Sequence, residues 1–270
     1  MQTASNRTRI RIVQSRQNSR VKELRFGLTQ ATRTDQGRVS IEGVHLIQEA
    51  LRSRLQVPVV FIREGDEELI DALELPPDSE ILALPPDIFF SAVSTESPQG
   101  IAALVDPPDF SLESVFAATS PLIVVAAALQ DPGNLGTLIR SAEAFGASGV
   151  LTLPGTVSPW NAKTLRAASG SLFRLPVVAV REPELFNALR ARGIPILAAA
   201  ASGASSMPNL VGPIAILIGN EGAGLSPSLL AAADAVISIP CPGPVESLDA
   251  AVAASILLYE ASRQRSGAPG

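Results

Sequence analysis

The chain has 270 residues, 46% of them hydrophobic and 17% charged, with a net charge of −5. At roughly 100–200 residues per domain this is one large domain or two modest ones, and the composition excludes wholesale disorder. The longest apolar runs, such as 121–129, reach about half of the ~20 residues a bilayer-crossing helix needs. The arginine-bearing first residues lack the apolar stretch of a secretory signal. Cys241 is the only cysteine, which rules out an internal disulfide and a cysteine-based zinc site and fits a reducing cytoplasm.

Charge is unevenly spread. Residues 1–38 hold nine basic side chains against Glu23 and Asp35. A basic segment on an acidic body suits a polyanion, because neutralised phosphates release counterions; a solvated tail reads equally well from charge alone. Of the 21 basic residues only Lys22 and Lys163 are not arginine. Guanidinium suits bidentate phosphate contacts, although a GC-rich coding bias gives the same skew.

In chain order, 21–53 mixes basic and apolar positions and enters IEGVHLIQEAL, a helical pattern with Val44, Ile47, Leu51 and Leu55 on one face. VPVVFI (57–62) reads as a strand, GDEELIDALEL as a short acidic helix, and GIAALVD (100–106) as a strand. Residues 106–120, polar and proline-bearing, form the linker candidate. Beyond it strands and helices alternate. Strands are expected at 121–129, 149–153, 175–180, 194–201, 213–219 and 235–240, and helices at 135–145, 160–170, 183–192, 227–233 and 247–262. Apolar strands spaced by helices imply a parallel sheet covered on both faces, with ligands outside the carboxyl ends of the strands.

Three loops there carry chemistry. LQDPGNLGTLIRSAEAFGASGV (129–150) turns at Asp131-Pro132-Gly133, and Asn134 reads as the helix cap. Leu135, Leu138, Ile139, Ala142 and Phe145 form the apolar stripe, and Arg140 falls among them. Its charge needs a partner or an anionic ligand, and the spacing fits both. ILIGNEGAGLS (216–226) is a glycine turn with Asn220-Glu221 at a strand end; its order, G-x-x-G-x-G, is not the dinucleotide fingerprint. ISIPCPGPVESLDAAVAASILLYEASR (237–263) approaches a helix through three prolines, with Glu246 and Ser247 at the cap and Val252, Ile256 and Tyr259 as its apolar face. Cys241 reads as a small filler rather than a nucleophile, since no histidine follows it.

Together and in this order, NLGTLIRSAEAFG, LIGNEGAGLS and IPCPGPVESLDAAVAASILLYE resemble the three motifs of the SpoU (TrmH-like) branch of the SPOUT RNA methyltransferases. KELRFGLTQATRTDQGRVSIEGVHLIQEAL and STESPQGIAAL are similar to the amino-terminal substrate-binding domain of many ribosomal-RNA members. The resemblance implies a smaller α/β RNA-binding domain over 1–107, with a ribosomal-protein-like fold, a linker over 108–119, and an α/β methyltransferase domain over 120–270 with a parallel sheet and a deep trefoil knot. It further implies S-adenosylmethionine as co-substrate, held at Gly219, Ile239 and Leu248, with no metal, and a cytoplasmic homodimer acting on RNA, with ribosomal RNA as the leading substrate.

The implied reaction is methyl transfer to a ribose 2′-hydroxyl, which needs its proton removed, an in-line donor and a hold on the phosphate. His45, the sole histidine, lies in the other domain and reads as a surface or RNA-contact residue. The resemblance puts Arg140 at the centre. A guanidinium does not ordinarily deprotonate, so its expected role is to orient and electrostatically activate the hydroxyl. Asn134, Glu221 and Ser247 are the implied supports of Arg140 or of the ribose. One position departs from the pattern: the family asparagine after E-S-L is Asp249 here, which would pair with Arg140, serve as a base, or compete with phosphate. Transfer RNA as substrate, a catalytically silent RNA- or ribosome-binding scaffold, and a nucleotide-dependent metabolic enzyme are the alternatives.

Overall fold

The computed structural model describes the chain except residues 1–5, 94–97, 205–207, 246 and 268–270, with the backbone alone at 202–204. The STES portion of STESPQGIAAL and the expected cap Glu246 lie outside the described residues. The chain divides into two units, Met1–Asp109 with Trp160–Arg174, and Phe110–Pro159 with Leu175–Gly270.

In the first unit, β1 (Ile10–Ile12), β2 (Val39–Glu42), β3 (Val59–Arg63), β4 (Glu80–Leu84) and β5 (Ile101–Val105) form one mixed sheet in the order β1-β4-β3-β5-β2. β1, β4 and β3 run parallel, and β5 is antiparallel to both β3 and β2. Helices α1 (Ser19–Gln30), α2 (Val44–Arg52) and α3 (Pro86–Ala92) accompany it. The Asn18 side chain caps α1 by accepting from the Arg20 amide, and Val21, Leu24 and Leu28 bury against Phe61, Leu82 and Phe89. Gly27 is where α1 meets β2: a Cβ there would stand 2.3 Å from Ser40 Oγ. The buried face of α2 is Leu46, Ile47 and Ala50, not the expected Val44–Leu55 stripe, because the chain leaves the helix at Arg52 and turns at Arg54 with φ 59°. The acidic segment forms a 3-10 helix, Glu67–Ala72.

The segment Trp160–Arg174, which contains α4 (Ala162–Ala168), also packs in this unit. Arg33 lies over the Trp160 ring, 5.7 Å from its centroid. His45 Nε2 is 2.8 Å from Ser169 Oγ, and Arg174 donates to Glu49 at 2.8 Å. Gly170, at φ +87°, lies so close to Glu49 that an added Cβ would stand 2.7 Å from the Glu49 Cβ.

The second unit begins with the one-turn α5 (Leu112–Val115), inside the expected linker. Its strands are β6 (Leu122–Ala126), β7 (Gly149–Thr152), β8 (Val177–Ala179), β9 (Ile196–Ala204), β10 (Ile214–Ile218) and β11 (Ala235–Ile237), in the order β11-β9-β10-β6-β7-β8 and all parallel. The helices are α6 (Pro132–Ala144), α7 (Glu182–Ala191), α8 (Pro227–Ala232) and α9 (Ala250–Gly267). Leu185 and Leu189 of α7 and Leu229 of α8 cluster with Ile123, Val125, Leu151 and Leu217 of the sheet, while α6 packs on α9 and α9 on β10. Two glycines inside α6, Gly133 and Gly136, cost about 1 kcal/mol each relative to alanine. Burial of Leu135, Leu138 and Ile139 outweighs that at ~1.5–3 kcal/mol apiece.

The face of α9 that is buried is Ala250, Ala251, Ala254, Leu257, Leu258 and Ala261. The expected apolar face is instead turned outward, with Val252 46%, Ile256 37% and Tyr259 55% exposed. Small alanines let α9 approach the sheet and α6 closely, which leaves the larger side chains on the other side. Arg265, near the end of α9, donates to the carbonyls of Ser120, Leu210 and Gly212 and ties the helix to the segments entering β6 and β10.

Candidate active site

β6 and β10 are neighbours, Ala126 level with Ile218. Chain order diverges there, with β7 and β8 on one side and β9 and β11 on the other. Adjacent parallel strands that end together bring their following loops together, in the crevice where doubly wound sheets hold ligands. After β6 the chain turns at Ala128, in the left-handed region at φ 57°, and the Ala128 carbonyl accepts from Asn220 Nδ2 at 2.8 Å.

Asp131, not Asn134, caps α6: its side chain accepts from the Asn134 amide at 2.9 Å. Pro132, whose preset φ suits the first helical position, opens the helix earlier than the sequence pattern suggested. Asn134 is therefore one turn in, and its Nδ2 donates to Glu221 Oε1 at 3.2 Å. The Glu221 carboxylate also accepts from the amides of Gln130 and Asp131, at 3.3 and 3.2 Å. Partial desolvation acts to raise the Glu221 pKa, but hydrogen bonds from its own amide, Asn134, Gln130 and Asp131 outweigh it and hold the carboxyl below the ordinary glutamate range.

The turn after β10 closes on itself. Asn220 and Gly224 exchange backbone hydrogen bonds at 3.0 and 2.9 Å, and Asn220 Oδ1 accepts from the amides of Gly222 and Ala223. Gly219 sits under the returning chain, where a Cβ would stand 2.4 Å from the Gly224 carbonyl carbon, a separation real Cβ atoms do not tolerate. This turn walls a cleft of about 560 Å³, within the range of small-molecule sites. The cleft brings together Gly219, Glu221, Ile239, Ser247 and Leu248, with Ile218, Ile237 and Leu257 as apolar walls. Cys241 lines it too and is exposed. It is therefore no buried filler, because the proline-bearing segment around it runs along the cleft rather than through the core.

Arg140 and Asp249 are not where the sequence pattern put them. Arg140 is exposed on α6 and makes no hydrogen bond or ion pair among the described residues. One residue past Ile139 rotates a helical side chain about 100° away from the buried stripe. Asp249 does not pair with Arg140. Its Oδ1 accepts from the amides of Ala251 and Val252, at 2.8 and 3.2 Å, and its carbonyl accepts from Ala253. It is the cap of α9, which moves the start of that helix from 247 to 250 and leaves Ser247 in the approach. Asparagine and aspartate cap about equally well, so this function explains either residue at 249. His45 belongs to the first unit, bonded to Ser169.

Two features escaped the sequence pattern. Asp131-Pro132 is itself a cap-then-proline signature and would have located the cap. Ala128 carries no signal, because alanine has no preference for the left-handed region.

Residues 121–259 match the model of the SpoU rRNA Methylase family. This chain belongs to the SpoU rRNA methylase family. Residues 18–103 match the MRM3-like substrate binding domain, so both halves of this SpoU protein have family counterparts. It is 36% identical to the 23S rRNA (guanosine(2553)-2′-O)-methyltransferase RlmP of Bacillus subtilis, over 92% of this chain and 97% of that one. It is 35% identical to the 23S rRNA (uridine(2479)-2′-O)-methyltransferase of Streptomyces viridochromogenes, over 69% and 68% of the two chains. Among solved structures, the AdoMet-bound rRNA methyltransferase of Sinorhizobium meliloti superposes with a TM-score of 0.80 at 27% identity, covering 94% of this chain and 98% of that one. The parallel-sheet unit has the α/β fold of these SpoU structures. Its three loops at the carboxyl edge, around Asn134, Glu221 and Ser247, all fall inside the family match.

Proposed function

We propose that this SpoU protein transfers the methyl group of S-adenosylmethionine to a ribose 2′-hydroxyl of ribosomal RNA in the cytoplasm. One observation carries the reading: Glu221, on the wall of the cleft that holds Gly219, Ile239 and Leu248, is bonded to Asn134 of the first loop. The cleft suits the co-substrate, since Gly219 offers bare backbone where any Cβ would collide and the apolar walls suit an adenine ring. S-adenosylmethionine supplies a methyl on sulfonium sulfur.

The chain's own groups do the rest. Gly219, Ile239 and Leu248, on the cleft lining, would hold the adenosyl end. Glu221, held ionised by its donors, fixes the 130–134 loop and the first turn of α6. Arg140, exposed and without a partner among the described residues, is available to a phosphate and to the hydroxyl, whose oxygen becomes a better nucleophile as a guanidinium stabilises its developing negative charge. Ser247, on the lining of the same cleft, would contact the ribose.

The amino-terminal unit, ribosomal-protein-like in this reading, binds the RNA. The carboxyl-terminal segments thread a trefoil knot, and two copies pair through the outward face of α9. Exposed Val252, Ile256 and Tyr259 support that pairing, with Tyr259 set edge-on to Phe145 of the neighbouring helix end. The catalytically silent reading rested on Asp249 alone, and the capping geometry removes that support. Mapping 2′-O-methylation in ribosomal and transfer RNA from cells with and without the gene tests the proposal. A ribosomal nucleotide that loses its methyl group, restored by the wild-type gene and not by Arg140→Ala, is the expected result. An unchanged map overturns it.

A further inference from the structure

A second cavity, of about 470 Å³, shares Asn220, Ala223 and Gly224 with the first as a common wall and opens at the carboxyl ends of β6 and β7. Leu153, Leu225 and Leu229 give it an apolar floor, and Gln130 and Glu182 line it as well. Neither of those two side chains makes a hydrogen bond among the described residues. Ala128, the left-handed residue after β6, is also on its wall; strained backbone of this kind gathers at functional sites. The cavity is tied to the chemistry by one residue: the amide of Gln130 donates to the carboxylate of Glu221, which lines the first cleft.

We propose that this cavity reads the base of the nucleotide whose ribose is methylated, and that the base is guanine; the inference rests on the methyltransferase reading above. An apolar floor takes the flat face of a base drawn out of its stack, and hydrogen bonds then read its Watson–Crick edge. A carboxylate accepts hydrogen bonds, so Glu182 calls for two neighbouring N–H groups. Guanine offers them at N1 and the 2-amino group, with O6 beside them as an acceptor for the Gln130 carboxamide. Adenine, cytosine and uracil lack that run of two donors and an acceptor. Family membership leaves the base open, since one relative named above acts on a guanosine and another on a uridine.

The test uses the full-length protein and a ribosomal RNA fragment spanning the mapped nucleotide, prepared with guanosine, inosine or adenosine at that position. Inosine lacks only the 2-amino group. The wild type is expected to prefer guanosine over inosine by about ten-fold or more in kcat/KM, as for a hydrogen bond to a charged group. Glu182→Gln is expected to bring that preference to within about three-fold, while S-adenosylmethionine, titrated calorimetrically, binds both proteins alike. Gln130→Ala provides a second variant, expected to weaken methylation of both guanosine and inosine fragments, which share O6. A mapped nucleotide other than guanosine, equal use of guanosine and inosine by the wild type, or an undiminished preference in a folded Glu182→Gln protein overturns the base-reading proposal alone. Absence of any methylation by the wild type overturns the methyltransferase reading instead.

Discussion

Asn134 Nδ2 meets Glu221 Oε1 at 3.2 Å, although the two residues are 87 apart in the chain. The same carboxylate takes the amides of Gln130 and Asp131. A carboxamide has one acceptor oxygen where a carboxylate has two, so Glu221→Gln leaves at least one donor without its partner. With the group partly exposed, the expected loss is about 1 kcal/mol of stability and roughly 10–100-fold in kcat, read by urea unfolding and by single-turnover methylation.

The depressed pKa of Glu221 has a signed consequence. Its folded form holds its proton less tightly than the unfolded chain does, so its contribution is complete above the ordinary glutamate range and disappears as pH falls through the depressed value. Wild-type stability should therefore drop on acidification below that range more steeply than the stability of Glu221→Gln. Parallel melting curves against pH would contradict the assignment.

Because Arg140 is exposed and makes no hydrogen bond or ion pair among the described residues, its removal should leave the fold alone. Arg140→Ala is expected to melt like the wild type and to lose about 10²–10³-fold in kcat, the scale of one lost electrostatic stabiliser. Arg140→Lys keeps the charge and loses the planar fork, and should recover only part of that loss. A wild-type kcat in Arg140→Ala would remove Arg140 from the chemistry.

Asp249 behaves as a cap, so Asp249→Asn should change stability by a few tenths of a kcal/mol at most and leave the pH profile of turnover in place. Asp249→Ala should cost about 1 kcal/mol. A large catalytic defect in a fully stable Asp249→Asn protein would give the carboxylate a chemical part after all.

Gly219→Ala sets a methyl group against the backbone at Gly224, 2.4 Å from its carbonyl carbon. The turn must open to make room. The variant is expected to bind S-adenosylmethionine at least about ten-fold more weakly, a loss of ~1.4 kcal/mol, as measured by calorimetry, while remaining folded.

The strands of the parallel sheet and the helices between them were legible in the residues, because burial on both faces writes itself as uninterrupted apolar runs. The glycine turn at 219–224 and the polar pair Asn220-Glu221 were visible for a similar reason, since their residue types are local requirements of a turn at a strand end. Element ends were read less well. Asp131 rather than Asn134 opens α6, and Asp249 rather than the Glu246-Ser247 pair opens α9. A cap is chosen by which side chain reaches free amides, and composition alone does not say which.

Sequence by itself determined the α/β class with its parallel sheet, the positions of the three loops and the residue types that meet there. Tertiary structure alone decided that β6 and β10 lie side by side, and so that Glu221 closes on Asn134. It also decided that Ala128 adopts a left-handed turn, that Trp160–Arg174 packs with Arg33, His45 and Glu49, and that α9 turns Val252, Ile256 and Tyr259 outward. Periodicity is a property of near neighbours along the chain. Strand order, and the side of a helix that finds a partner, depend on residues far away in it.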